Sequence, residues 1–253
     1  AEVDVATKIA VQAGVLDLAK SVGVESLASG SALHLDASKN GTLTTTINGS
    51  ETRVTKWTDV RGEETYPWMA HPGWGGVPII RANALNGLDA VNFKAASTSY
   101  QFGTFLFAGN YQGTDADDKA GIKGVREVFM IVEDVVGEKD GEPLYQSFLT
   151  DSGSNDFREW LRNPDGGLWH ATDAKTASLR DGSTWIDGER VSYTDKFPEG
   201  FHLLRVRRTA GGRFSSLGYE RQNVNGGLKY GEILAFKMGV DDAVASSISS
   251  SGS

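Results

Sequence analysis

Glu232 is the single carboxylate in the stretch NGGLKYGEILAFK, residues 225–237, where an Asn-Gly-Gly turn runs into an apolar segment that reads as a late strand. Side chains alternate along a strand, so Tyr230, Glu232, Leu234 and Phe236 are expected on one face and Ile233 and Ala235 on the other. A carboxylate on an apolar face does acid–base work on a glycosidic bond when a second carboxylate stands near it. The paired acids elsewhere, Glu63 with Glu64, Asp117 with Asp118 and Glu133 with Asp134, are neighbours in sequence. On a strand each pair points to opposite faces. With no partner legible, Glu232 reads as architecture.

Other chemistries leave fainter traces. The four histidines, His34, His71, His170 and His202, never approach the spacing of a zinc-binding helix, and His34 and His202 sit inside apolar runs that suit a structural role. No nucleophile elbow and no phosphate-binding glycine loop occurs. Calcium takes oxygen ligands from loops, and the loop TDSGSND offers Asp151, Asn155 and Asp156 as candidate ligands. The loop TDADDK, with Asp115, Asp117 and Asp118, is second. Aromatic residues are the stronger signal. The segment YPWMAHPGWGGVP places Tyr66, Trp68, His71 and Trp74 among Pro and Gly, and DFREWLRNPDGGLWH adds Trp160 and Trp169 beside Arg158 and Asp165. Loops run over the surface, and an exposed indole is a stacking platform for a sugar ring. Tyr66, Trp68, Trp74, Arg158, Trp160 and Trp169 are therefore candidate ligand-binding residues, against the alternative that the indoles plug the ends of the fold. Trp57 and Trp185, on strand-like runs, are assigned to the core.

Composition sets the limits. The chain has 253 residues, enough for one large domain with a full core. A net charge of −8 with 25 scattered Lys and Arg residues supplies no basic stripe, so nucleic acid is excluded as the expected partner. Cysteine is absent, which excludes disulfides and thiolate chemistry. No apolar run approaches the roughly 20 residues of a membrane helix, so no membrane insertion is expected.

The elements that must position these residues are mostly strands. Eight Asx-Gly pairs, beginning at Asn40, Asn48, Asn86, Asp140, Asp165, Asp181, Asp187 and Asn225, punctuate the chain. That dipeptide accepts the positive φ of tight hairpin turns, which argues for antiparallel pairing. Thirteen strand-like runs, from SALHLD to GEILAF, exceed one open sheet and predict an all-β, two-sheet antiparallel sandwich. One or two short helices are expected, through NDFREWLR and through DDAVASSI with an aspartate cap. Residues 1–29 are small and aliphatic without an aromatic, and read as an N-terminal appendage or the end of a preceding domain; 30–248 form the main body and 249–253 a flexible tail.

The segment LHLDASKNGTLTTTINGSETRVTKWTDVRG resembles the opening of bacterial laminin-G-like, concanavalin A-like jelly-roll domains, through Leu33, Leu35 to Ser38, Thr42, Leu43, Trp57, Asp59 and Gly62. GEILAFKMGVDDAV resembles the closing strand and short helix of the same family. The resemblance implies a jelly roll over about residues 31–248 whose first and last strands pair. Its glycan-cleaving members carry Glu-x-Asp-x-x-Glu on one strand, which this chain lacks. SLRDGSTW, residues 178–185, resembles a sialidase Asp-box but departs from its spacing and occurs once, so it reads as a turn. The resemblance therefore implies a non-catalytic module of an extracellular or cell-surface bacterial protein, lectin-like and binding a glycan or a surface-protein ligand, with calcium as the cofactor to look for. The alternatives are a structural or adhesive spacer domain, and a glycan hydrolase or lyase with a non-standard acid pair.

Overall fold

The computed structural model describes residues 30–62, 68–70, 76–93, 106–108, 121–134, 147–150, 157–163, 165–218 and 227–240. Among them the protein is built from antiparallel strands: β1 (Leu33–Asp36), β2 (Leu43–Asn48), β3 (Glu51–Trp57), β4 (Trp68–Met69), β5 (Ile79–Leu85), β6 (Leu88–Phe93), β7 (Leu106–Ala108), β8 (Ile122–Asp134), β9 (Ser183–Ile186), β10 (Glu189–Val191), β11 (Phe201–Phe214), β12 (Ser216–Leu217) and β13 (Leu228–Phe236). One hydrogen-bonded path joins them in the order β10-β9-β11-β8-β13-β6-β5-β3-β4-β7-β12, with β1 on β13 and β2 on β3. The all-β expectation holds at this level. The path folds back on itself in a sandwich-like arrangement: Val128, Met130, Leu204, Val206 and Ile233 share one core cluster with Val54, Trp57, Trp68, Leu106 and Leu217.

The Asx-Gly pairs make the hairpins. Asn86-Gly87, with φ of 46° and 85°, joins β5 to β6, and Asp187-Gly188, at 52° and 83°, joins β9 to β10. Two successive positive φ values are what a type I′ turn requires. Among the described residues helix is confined to short segments. NDFREWLR yields a single 3-10 turn, Phe157–Trp160, and the one α-helical segment among the described residues beyond Gly30 is Ala177–Arg180. The expected helix through DDAVASSI, the appendage 1–29 and the tail lie outside the described residues.

β13 corrects the expected alternation. Tyr230 pairs with Val132 and Glu232 with Ile131, so Gly231 is an extra residue, a β-bulge. Tyr230 consequently joins Ile233 and Ala235 in the main core, while Glu232, Leu234 and Phe236 face the other side of the sheet. A side chain at 231 would approach Ile131 Cγ2 to 3.3 Å, a tight fit that glycine avoids.

Candidate functional site

Register partners in an antiparallel sheet share a face. One such row runs Trp185–Arg205–Phe129–Leu234–His34 across β9, β11, β8, β13 and β1, and the next runs Leu203–Ile131–Glu232–Asp36. These rows make the outer face of the sheet. Its middle is apolar, with Phe129, Ile131, Leu203, Leu234 and Phe236 packed into a second buried cluster. Its two ends are polar and differ in chemistry.

At the β1 end, Asp36 pairs directly with Glu232, and His34 lies beside them. His34 Nε2 and Glu232 Oε1 are 2.7 Å apart. Donor atoms of all three side chains fall within 4.8 Å of one another. The residues are 3 %, 5 % and 4 % exposed for His34, Asp36 and Glu232. This is the partner for Glu232 that sequence reasoning missed. It comes from a residue nearly 200 positions away, and only the β1–β13 pairing brings it near.

The surrounding backbone is held from several directions. Asp36 Oδ1 accepts the Ser38 N–H at 2.8 Å and the Ser38 hydroxyl at 2.7 Å. The Thr42 hydroxyl donates to the Asp36 carbonyl at 2.7 Å. Asp59 Oδ2 accepts the His34 N–H at 2.8 Å, and the Val60 N–H donates to the His34 carbonyl at 2.9 Å. Arg61 grips the same Asp59 through Nε at 2.8 Å and Nη2 at 2.7 Å, and its Nη1 donates to the Ser31 carbonyl at 2.7 Å. Burial by itself would raise the Asp59 pKa, but hydrogen bonds from the Arg61 side chain, the Arg61 N–H and the His34 N–H outweigh it and hold the carboxyl below its usual range. Gly62 closes the turn at φ 70° and donates to the Asp59 carbonyl at 2.9 Å. The Leu-x-Leu-Asp-Ala-Ser and Trp-x-Asp-x-x-Gly elements are thus one hydrogen-bonded unit.

At the β9 end, the Arg205 guanidinium lies 4.1 Å from the centre of the Trp185 ring, with Arg207 at 5.7 Å. Both arginines also clamp the fully buried Glu127, at 2.7 Å from Arg205 Nε and 3.1 Å from Arg207 Nε. Trp185 was expected in the core. Its position opposite Arg205 puts it on the outer face instead, half-buried.

The aromatic candidates take other places. Trp68, Trp160 and Trp169 are fully buried core side chains. Trp160 Nε1 donates to the Arg213 carbonyl at 2.7 Å beneath the Arg208 guanidinium, 4.7 Å from the ring. Trp169 Nε1 donates to Thr184 Oγ1 at 2.8 Å, and its ring packs edge-on against Phe148 at 5.7 Å. Their segments carry no long strand, yet they fold inward; for Trp160 and Trp169 the indole gains from burial because its N–H finds an acceptor. These three rings therefore offer no open face to a sugar. Tyr66, Trp74, the Arg158 side chain, the expected calcium ligands Asp151, Asn155 and Asp156, and the second loop with Asp115, Asp117 and Asp118 lie outside the described residues. Among the described residues no helix is long and apolar enough to cross a membrane.

Comparison of the chain with protein-family models, with curated proteins and with solved structures finds no match.

Proposed function

We propose that this chain is a non-catalytic, laminin-G-like jelly-roll module that serves as a structural spacer in an extracellular or cell-surface bacterial protein. The observation that carries the reading is the burial of Trp68, Trp160 and Trp169, the three described indoles from segments that would otherwise supply a sugar platform. The pairing of β1 with β13 and the hydrogen-bonded unit around Asp36 and Asp59 support the jelly-roll assignment, since the family closes its sandwich by joining first and last strands. The converging carboxylates, Asp36 and Glu232, are too deeply buried to meet a polysaccharide, which weighs against hydrolysis.

A second reading, carbohydrate binding, is favoured by one feature. Trp185 is a half-buried indole on the outer face with two arginines beside it, a combination of stacking surface and hydrogen-bond donors that suits a glycan. A glycan-array screen of the folded chain, with calcium and again with a chelator, separates the two. A spacer gives no hit in either condition. A hit abolished by Trp185→Ala replaces the spacer with a lectin-like module, and loss in chelator adds calcium.

A further inference from the structure

We propose that His34, Asp36 and Glu232 bind one divalent first-row metal ion, zinc being the best fit, which fastens the first strand of the sandwich to the last. The proposal is independent of whether the module also binds a glycan.

Electrostatics supplies the first argument. Asp36 and Glu232 are register partners on one face, and like charges directly opposite one another destabilise a sheet. Both are buried, and the apolar Ile131 flanks Glu232 in the same row, so the repulsion between them is poorly screened by water. A divalent cation turns that repulsion into attraction, and His34 adds a nitrogen donor.

The donor set supplies the second. One imidazole and two carboxylates suit zinc or manganese, whereas calcium and magnesium favour oxygen ligands alone. Three protein donors leave a fourth position for water. Tetrahedral zinc with bonds of about 2.0–2.1 Å sets neighbouring donors about 3.3 Å apart. The His34–Glu232 contact of 2.7 Å opens by about half an ångström to reach that spacing, and donors separated by up to 4.8 Å close by rotation of a carboxylate.

The third is outer-shell support. Ligand carboxylates are usually oriented by further hydrogen bonds. Asp36 Oδ1 is fixed by the Ser38 N–H and hydroxyl. The backbone of His34 is pinned on both its N–H and its carbonyl by Asp59 and Val60. The ligand-bearing strand is therefore already in place before an ion arrives.

The test uses untagged full chain stripped with a chelator, then given zinc, manganese or calcium separately. The expected result is one zinc retained per chain after gel filtration and a rise in Tm of several degrees, with no comparable shift in calcium. His34→Gln and Asp36→Asn are expected to weaken zinc binding at least tenfold. Ser38→Ala, which leaves all three ligands in place, is expected to weaken it about 10- to 100-fold and serves if the ligand variants fail to fold. Folded wild-type chain that retains neither zinc nor manganese overturns the proposal, leaving His34 and Glu232 as a hydrogen-bonded pair. Zinc retained equally by wild type and by Ser38→Ala and His34→Gln overturns it as well, since the ion then sits elsewhere.

Discussion

Asp59 accepts the backbone N–H of His34 at 2.8 Å, across 25 residues of sequence, and holds the Arg61 guanidinium with the same carboxylate. Its side chain is 5 % exposed, so its removal strands the buried His34 N–H and takes away the carboxylate that orients Arg61. Asp59→Ala is expected to cost about 2 kcal/mol. Urea unfolding should show a lower midpoint with an unchanged slope. An unaltered midpoint would mean that water replaces the carboxylate at no cost.

Trp169 fills the core and satisfies its own N–H through Thr184. Trp169→Ala is expected to lower stability by about 3–5 kcal/mol, the usual consequence of deleting a buried large aromatic. A ligand-stacking Trp would behave in the opposite way, losing binding while the melting temperature stays put.

Asp134 and Arg162 form an ion pair with side chains 0 % and 3 % exposed, and the Arg162 guanidinium also lies 4.6 Å from the centre of the Phe148 ring. Removing one partner leaves a buried charge, which typically costs about 3–5 kcal/mol. Replacing both with apolar residues removes the charge and the need for it. Arg162→Met should therefore be more destabilising than Arg162→Met combined with Asp134→Leu, a comparison that a double-mutant cycle of unfolding free energies reads directly.

His202 hydrogen-bonds Asp187 through Nδ1 at 2.6 Å and the Glu199 carbonyl through Nε2 at 2.8 Å. The Asp187 contact raises the imidazole pKa above its ordinary 6.5, with burial opposing and the Glu199 carbonyl assisting. A raised folded-state pKa means that the protonated form stabilises the fold. That contribution is fully present below about pH 6.5 and is lost as pH rises through the folded pKa. Melting temperatures measured from pH 6 upward should fall in the wild type and change less in Asp187→Asn. Asn tolerates the φ of 52° at this position, so the turn itself survives the substitution.

The fold was more legible than the site, and particular residues show why. Asn86-Gly87 and Asp187-Gly188 announce hairpins because turn chemistry is local. Strand runs such as STWID and REVFMIVED signal themselves by composition, and they appear as β9 and β8. Gly231 carries no comparable mark. Read as a regular strand position it puts Tyr230 beside Glu232, whereas the bulge sends them to opposite faces. The His34–Asp36–Glu232 group was hidden for a different reason: the resemblance implied that first and last strands pair, but the register that sets Asp36 opposite Glu232 leaves no local pattern. The indoles stayed undecided because Pro- and Gly-rich sequence suggests a surface loop without saying which way a side chain turns. Trp68, Trp160 and Trp169 turn inward.

Leu33 pairs with Ala235 at one end of the β1–β13 ladder, and Asp36 with Glu232 at the other. The chain thus enters β1 and leaves β13 at the same edge. Tension applied at Gly30 and Val240 would peel this ladder open one hydrogen bond at a time, the way a zip runs, rather than shear all its bonds together. A metal ion held by His34, Asp36 and Glu232, as proposed above, would put the last resistance at the far end of the ladder. A fold closed by its own ends is a fastening whose catch lies at the last tooth.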